Sequence, residues 1–291
     1  MRKVREIIKL IVSLVAYPML KRRIRFNIMT STETIDYIIN HKVSVSRFGD
    51  GEYYIMSDKH SNFQINDEVL KKRLIEVLTV PVSNHLVCLP YTFISLKPYR
   101  KTTRRIWRNF IVFNNDLIHC MTPSHTLYGD ALFTRFYMIM RNKSKALESV
   151  VAFKQLWHGK NICVVEGYYT KFGIGNDLLD ACADVTRILC PPTNAFSKYD
   201  DILNCITTKI PKTTLILCAL GMTATVLAYD LSKLGYMAID IGHLDIEYEW
   251  AMISAKDKSP IKGKSVNELN MNIPADDATT LFVDNVSIYK I

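Results

Sequence analysis

Four short apolar runs in the second half of the chain alternate with segments of helical pattern. The runs lie at 162–165, 188–190, 215–220 and 237–241, and glycine or proline follows each of them closely. Helices are predicted between them at about 176–184, 198–208 and 223–234, the last ending at Gly235. Strand–helix alternation of this kind predicts an α/β fold with a parallel sheet and helices on both of its faces. Ligands bind such sheets outside the carboxyl ends of the strands, which is where these glycines fall.

The first half gives weaker signals of the same kind. Thr30 and Glu33 have the spacing of a capping box, so a helix is predicted at about 32–40, followed by a strand at 42–45. Asn66 is predicted to cap a helix that runs to Leu78, and 85–89 reads as a strand. The segment 97–108 is rich in Lys and Arg, which suggests a basic face or a mobile loop.

The N-terminal segment 1–24 is apolar and flanked by basic residues. Lys9 and Pro18 interrupt it, so its apolar part is too short to span a bilayer. Two interpretations remain open: a helix lying in an anionic membrane interface, or a first helix packed on the protein's own core. The basic residues favour a cytoplasmic location for the protein, with this segment at the inner face of the cell membrane. Because no repeat or linker follows, residues 25–291 are predicted to form a single domain.

Composition limits the class of protein. The chain has 291 residues, of which 48% are hydrophobic and 22% charged, as in globular proteins. Its net charge of +9 suits polyanionic partners such as nucleotide phosphates or acidic lipids, and no nucleic-acid-binding signature accompanies it, so no nucleic-acid partner is expected. Seven cysteines without a Cys-x-x-Cys motif indicate free thiols in a reducing compartment.

The heptapeptide SRFGDGE at 46–52 is the most informative motif. Asp50 and Glu52 would point to the same side of an extended loop, where Gly49 lets the backbone turn tightly. Mg²⁺ and Mn²⁺ prefer such oxygen ligands, often together with substrate phosphates, and Arg47 offers a planar fork for a phosphate. The motif therefore indicates a metal-assisted site for a phosphorylated substrate. An ordinary polar β-turn is the alternative that spacing alone leaves open.

Two further motifs suggest phosphate binding at helix N-termini. Gly175 belongs to a Gly-x-Gly motif before Asn176 and Asp177, although Asn176 serves equally well as a plain helix cap. Gly221 joins a predicted strand to a helix that starts near Thr223, and a tight capped turn explains this motif too.

The segment 240–250 reads DIGHLDIEYEW and carries a histidine and several carboxylates. If it is extended, His243 and Asp245 share a face with Glu247 and Glu249; if it is helical, Asp245 and Glu249 share one. Either arrangement could supply a general base or a metal ligand. A solvated acidic face of an amphipathic segment is the alternative.

Taken together, these segments resemble the bacterial GT-D-type glycosyltransferases. The matching strings are SRFGDGE, GIGNDLLD at 173–180, the run at 190–196, KYDDIL at 198–203, ALGMTATVLAYDLSKLGY at 219–236 and DIGHLDIEYEW. The resemblance covers roughly residues 30–270. It implies a Rossmann-like, mostly parallel sheet flanked by helices. It also implies transfer of a sugar, typically glucose from UDP-glucose, to a glycan acceptor of surface polysaccharide or glycoprotein. If the protein rests on the inner membrane face, the acceptor is expected to be lipid-linked.

The resemblance also implies roles for residues. Asp50 and Glu52 match the Asp-x-Glu motif that binds Mn²⁺ or Mg²⁺, with Glu52 the more direct ligand. Either His243 or Asp245 is implied as the base that activates the acceptor. The donor pocket would be lined by Arg47, Gly49, Asp50, Gly175, Asn176, Asp177, Asn194, Gly221 and Thr223.

Two departures from the family pattern leave the donor open. Tyr168 and Tyr169 stand where polar residues are expected, and Met222 stands where relatives often have proline. The rival interpretations are another Rossmann-type group transferase, such as a methyltransferase that needs no metal, and an inactive module that binds a nucleotide sugar without turnover.

Overall fold

Within the part of the chain that the structure describes, the protein is built around one nine-stranded sheet. The computed structural model describes residues 2–59, 64–123, 126–266 and 288–291. All strand pairs within the sheet are parallel, in the order β1-β4-β3-β2-β8-β7-β5-β6-β9. The strands are β1 (Asn27–Ile28), β2 (Ser44–Arg47), β3 (His85–Leu89), β4 (Leu127–Asp130), β5 (Asn161–Gly167), β6 (Asp184–Cys190), β7 (Leu215–Ala219), β8 (Met237–Asp240) and β9 (Ile288–Lys290).

The connections between strands carry ten α-helices within the described ranges. They are α1 (Arg2–Lys21), α2 (Ser31–His41), α3 (Asp50–Met56), α4 (Glu68–Thr79), α5 (Lys101–Phe113), α6 (Asn115–Met121), α7 (Ala146–Trp157), α8 (Tyr199–Lys209), α9 (Met222–Lys233) and α10 (Leu244–Met252). Apolar clusters pack between these helices and the sheet, so the α/β architecture expected from the sequence is confirmed.

The centre of the sheet is the most deeply buried part of the fold. Every residue of β7 is buried, as a continuous apolar run predicts for a parallel strand covered on both faces. Helix α9 packs against β2 and β8, and most of its side chains are buried. Gly221 starts this helix with φ 57°, a conformation that favours glycine. The strand-to-helix turn after β7 is therefore fixed in the middle of the molecule.

The four strands predicted in the second half are confirmed, as are the helices near 198–208 and 223–234. The capping box of α2 also forms, with Thr30 and Glu33 bonding each other's backbone N–H. Two local predictions are wrong. Asp67 and not Asn66 caps α4, because its carboxylate accepts the N–H groups of Val69 and Leu70.

No helix forms at 176–184, where the chain makes successive turns. Gly173 and Gly175 have φ 70° and 77°, and the Asn176 side chain accepts the N–H of Leu178 at 3.0 Å. This local Asx-turn competes with helical hydrogen bonding, so the segment stays irregular. The basic segment at 97–108 is largely ordered into α5.

Helix α1 packs against α5, while much of its apolar surface is exposed. Among the helices that the structure describes, none is both long and apolar enough to cross a membrane.

Asp130, at the end of β4, should make stability depend on pH. Its buried carboxylate accepts hydrogen bonds from Ser31 and from the N–H groups of Tyr91 and Leu132. Burial raises the pKa of Asp130 from 3.8 to about 6, against the opposing effect of these bonds. Between these pH values the native state holds a proton that the unfolded state has lost, so the stabilisation that Asp130 contributes is complete below pH 3.8 and is lost as pH rises through 6.

Asp130→Asn should remove this pH dependence, because its amide still accepts both N–H groups but does not ionise. The free energy of unfolding of the unaltered protein, relative to the variant, should fall by about 3 kcal/mol across that pH window. Urea titrations of both proteins at several pH values measure the difference. Parallel curves would contradict the assignment.

Candidate active site

A cleft of about 810 Å³ opens at the carboxyl edge of the central strands. Neighbouring strands β2 and β8 end there, and the segments that follow them, 49–52 and 242–246, line it. The predicted site residues that line the cleft are Arg47, Gly49, Asp50, Glu52, Gly221, His243 and Asp245. Volumes of this size hold cofactors and drug-sized ligands. The cleft is therefore the candidate active site.

Asp50 and Glu52 reach the cleft from the first turn of a helix and not from an extended loop. Helix α3 starts at Asp50, with Gly49 as its N-cap. The prediction that both carboxylates lie on one side of an extended backbone is wrong, because residues two apart on a helix point to different sides. Glu52 instead turns back, and its Oε2 accepts the Gly49 N–H at 2.6 Å. This contact fixes the turn in which Asp50 faces the cleft.

The Glu52 carboxyl lies in an unfavourable environment for a negative charge. Burial raises its pKa from 4.5 to about 7, and the nearby Asp240 adds to this, while the Gly49 N–H and Arg47 oppose it. The pKa of Asp50 is also raised, mainly because surrounding protein limits hydration of the carboxyl within the cleft. Neither residue is in a salt bridge within the described part of the chain. Two carboxylates without a basic partner are an arrangement that a bound cation would relieve.

Arg47 holds several segments of the site in place through its guanidinium group. Its guanidinium forms a 2.8 Å ion pair with Asp240 at the end of β8 and donates to Ala131 O and Thr134 Oγ1. A Cβ on Gly242 would lie 1.9 Å from Arg47 Nη2, so glycine is required for this close approach. Because its donors are occupied, Arg47 ties β2 to β8 and to the chain after β4. The phosphate-binding role expected for it remains an untested prediction.

The N-terminus of α9 also faces the cleft. Gly221 and Met222 line the wall of the cleft. Because the N-cap residue Gly221 has no side chain, no side-chain hydrogen bond caps the helix there. Thr223 is fully buried, and its Oγ1 has no hydrogen-bond partner among the described residues. The first N–H groups of a helix, with the positive end of its dipole, form a natural site for an anion.

His243 and Asp245 differ in how they are held. Segment 244–252 is helical, so Asp245 and Glu249 share a face, as one of the two interpretations predicted. Asp245 accepts the Gly173 N–H and the Asn176 amide, and its other oxygen lies 2.7 Å from Lys264 Nζ. These contacts occupy both carboxylate oxygens, so Asp245 links α10 to the segment around Gly173 and to Lys264 at the cleft wall. His243 lies at the N-cap of α10 and is half-buried.

Five predicted donor-binding residues do not line the cleft. Gly175 is exposed, and Asn176 reaches the site only through Asp245. Asp177 is exposed and bonds Lys154 and Tyr248. Asn194 bonds Gln64, and Thr223 lies beneath the α9 turn. The phosphate site that Gly175 and Asn176 predicted at a helix N-terminus is wrong, because no helix follows them.

Several residues of the cleft were missed. They include Arg100, from the segment predicted only as a basic face or mobile loop, and Arg135, Tyr169, Thr170 and Lys258, for which no role at the cleft was predicted. Arg135 forms a 3.0 Å ion pair with the buried Glu247 and lowers the pKa of Asp50. The segment 257–265 closes one side, where Ser265 N donates to Tyr169 O at 2.9 Å. The basic residues among them lie in stretches without helical or strand periodicity, so the sequence pattern could not assign them to the cleft.

Asp50 and Glu52 are the residues at the cleft that suit a metal ion. Within the described ranges, no group of three or more His, Cys, Asp or Glu side chains is arranged to hold one. Mg²⁺ and Mn²⁺ sites built on one or two carboxylates, completed by substrate phosphates and water, need no such group. Neither carboxylate is in a salt bridge with a described residue, and both line the cleft, so the pair fits a cation of this kind.

The fold and the cleft together define a class of protein. A doubly covered parallel sheet with a ligand cleft at its carboxyl edge is the Rossmann-like arrangement of nucleotide-dependent enzymes. The glycosyltransferase GT-D fold family model matches residues 45–269, most of this chain. The chain therefore belongs to the GT-D glycosyltransferase family.

Known relatives agree with this assignment. GlyD, a glycosyltransferase of Streptococcus pneumoniae serotype 4, is 34% identical over 241 residues, which are 82% of this chain and 29% of the relative. A protein of Streptococcus gordonii, described as a probable glycosyl transferase, is 33% identical over 251 residues, 85% of this chain and 36% of its own. This chain thus spans about a third of the length of the curated relatives it matches.

Solved structures are similar over nearly the whole chain. A domain of unknown function 1792, described as having a distinct glycosyltransferase fold, superposes with a TM-score of 0.85 at 33% identity. That match covers 93% of this chain and 98% of the solved one. A glycosyltransferase from Streptococcus sanguinis matches with a TM-score of 0.82 at 31% identity, over 90% of this chain and 100% of its own.

Proposed function

We propose that this protein transfers a sugar from a nucleotide diphosphate donor to a glycan acceptor with the help of Mn²⁺ or Mg²⁺. The donor is a hexose nucleotide, UDP-glucose in the first instance, and the acceptor belongs to surface polysaccharide or glycoprotein. The observation that carries the proposal is the pair Asp50 and Glu52, which line a large cleft at the carboxyl edge of the sheet and form no salt bridge with the residues that the structure describes. Family membership favours this reaction over methyl transfer.

The metal would be held by Glu52, as the more direct ligand, and by Asp50. When bound, it supplies Lewis-acid stabilisation of the charge that develops on the departing nucleoside diphosphate. The protein's own contribution begins with the cap of Glu52 on Gly49, which holds the carboxylate in one orientation. The Arg47–Asp240 pair fixes the strand end from which this turn departs.

The donor diphosphate would lie between the carboxylates and the N-terminus of α9. Gly221 lets the backbone approach closely, and the exposed helix end favours negative charge. Arg135, which also lines the cleft, adds a cationic group near Asp50. Gly49 supports the turn that begins α3, and Thr223 supports the turn that begins α9. Gly175, Asn176, Asp177 and Asn194 lie outside the lining, so we assign them to the support of neighbouring loops.

The cell interior is the location that suits this proposal, because nucleotide sugars are consumed there. The seven cysteines are all free in the structure, as a reducing compartment requires.

His243 is our choice for the base that activates the acceptor, because Asp245 is held by Lys264. His243→Gln should lower kcat for donor turnover by about 100-fold or more, while donor binding stays unchanged. Initial rates over a range of donor concentrations separate the two effects. His158→Gln, at an exposed histidine that forms the C-cap of α7, is the matched control and should behave like the unaltered protein. Normal kcat in the His243 variant would refute the assignment.

A donor panel tests the proposed reaction. The protein is incubated with different nucleotide sugars, with Mn²⁺ or with EDTA, while release of nucleoside diphosphate is followed. We expect release from a UDP-hexose only when the metal is present. Binding of the donor without release would support the inactive-module interpretation. Release that is equally fast in EDTA would refute the metal-dependent mechanism.

A further inference from the structure

Helix α1 presents an apolar ridge to solvent. The ridge consists of residues spaced by three or four positions, which places them on one side of a helix: Val4, Ile8, Ile11, Val15 and Met19. Their exposure lies between 55% for Ile8 and Ile11 and 75% for Val15. Contiguous exposed apolar surface of this kind marks an interaction site, whereas single exposed apolar residues are ordinary.

The opposite side of α1 is anchored to the protein. Ser13 is buried, and Leu10, Tyr17 and Leu20 are half-buried where the helix packs against α5. Tyr17 contacts the apolar cluster beneath. The ridge is therefore held in a fixed position, pointing away from the core.

The elements next to α1 are strongly basic. Helix α5 carries Lys101, Arg104, Arg105 and Arg108 and contains no acidic residue. The chain after α1 adds Arg22 and Arg25, both exposed. An apolar ridge on a helix whose neighbouring elements carry Lys and Arg fits a surface that is apolar and anionic at once, as a bilayer interface is. A second copy of the chain would bring the same basic residues against these, and that repulsion disfavours self-association through this face.

We propose that α1 docks the protein on an anionic membrane, lying in the plane of the interface with its ridge inserted. This inference goes beyond the proposed transfer reaction and does not depend on it. The same α5 that supports α1 also lines the cleft, through Thr102, Thr103 and Ile106. Docking through α1 would bring that wall of the cleft close to the bilayer. If the proposed function holds, this position suits an acceptor carried on a lipid.

Vesicle binding by the full chain tests the proposal. The protein is sedimented with vesicles of phosphatidylglycerol and phosphatidylcholine in equal parts, and separately with pure phosphatidylcholine. The unaltered protein should bind the mixed vesicles and lose most of that binding on the neutral ones. The triple variant Ile8→Gln, Ile11→Gln, Val15→Gln should bind the mixed vesicles about 100-fold more weakly, because three apolar side chains no longer insert.

A matched variant controls for the loss of exposed apolar surface in general. Leu147→Gln with Val151→Gln removes two side chains on α7 that are 62% and 66% exposed, and it should bind vesicles normally. Donor turnover in solution should be unchanged in both variants, so failure of docking and failure of the transfer reaction give different results. Equal binding by the triple variant would overturn the proposal. So would a dimer of the unaltered protein that the triple variant abolishes.

Discussion

Replacing Glu52 with glutamine is expected to lower metal-dependent turnover of the nucleotide sugar by about 1,000-fold. The change removes the charge that would hold the cation, and with it several kcal/mol of stabilisation of the departing diphosphate. The glutamine amide oxygen can still accept the Gly49 N–H that Glu52 Oε2 accepts in the native protein. Helix α3 should therefore start normally, and thermal stability should not fall. Initial rates at saturating Mn²⁺, with a melting curve for each protein, measure both quantities.

Two companion variants make this result specific. Asp50→Asn should lose less activity, about 10- to 100-fold, because Glu52 is the more direct ligand in our account. Glu148→Gln changes an exposed carboxylate on α7 in the same way and should keep full activity. If Glu52→Gln retained most of its turnover while folded, the role assigned to this carboxylate would be wrong.

Arg187→Met is expected to cost about 3–5 kcal/mol in the free energy of unfolding. Arg187 on β6 pairs with Glu166 on β5, and both side chains are almost completely buried. Glu166 also accepts the Phe172 N–H at 2.7 Å, and Arg187 donates to Phe172 O at 2.8 Å. Without Arg187, an unpaired carboxylate would stay in the interior. The loop at 168–175, which carries Tyr169 and Thr170 to the cleft, would lose the hydrogen bond from Arg187 to Phe172 O.

Urea denaturation measures this loss, and two further variants identify its cause. The double variant Glu166→Gln with Arg187→Met should recover much of the stability, because it removes the stranded charge but keeps an acceptor for the Phe172 N–H. Lys198→Met breaks an exposed pair with Asp201 and should cost nothing measurable. A small loss in Arg187→Met, or no recovery in the double variant, would contradict this account of the pair.

The sequence pattern predicts the sheet well where strands are buried and helices regular. The strands β5 to β8 read as continuous apolar runs because both faces of the sheet are covered. The same reasoning misplaces the carboxylates of Asp50 and Glu52, because a Gly-Asp-Gly string can open a helix as readily as a loop. It also predicts a helix at 176–184, where the Asn176 side chain bonds the backbone and Asp245 instead.

The cleft could be predicted only in part. Gly49, Gly221 and His243 follow strand ends and were found for that reason. Arg135 and Thr170 were not, since they reach the site through tertiary contacts of irregular segments. The contact between Asp245 and Lys264 could not be predicted from the sequence either, because a long loop after α10 brings Lys264 to Asp245. It nevertheless changes the chemistry, since it leaves His243 as our candidate base.

Binding of UDP to the unaltered protein, followed by isothermal titration calorimetry with Mn²⁺ and then with EDTA, tests the central claim most directly. If Asp50 and Glu52 hold a cation that bridges to the diphosphate, binding should be clear with Mn²⁺ and weakened by about 100-fold or more in EDTA. In Glu52→Gln the addition of Mn²⁺ should bring little gain. Equal affinity of the unaltered protein for UDP with and without the metal would contradict the account.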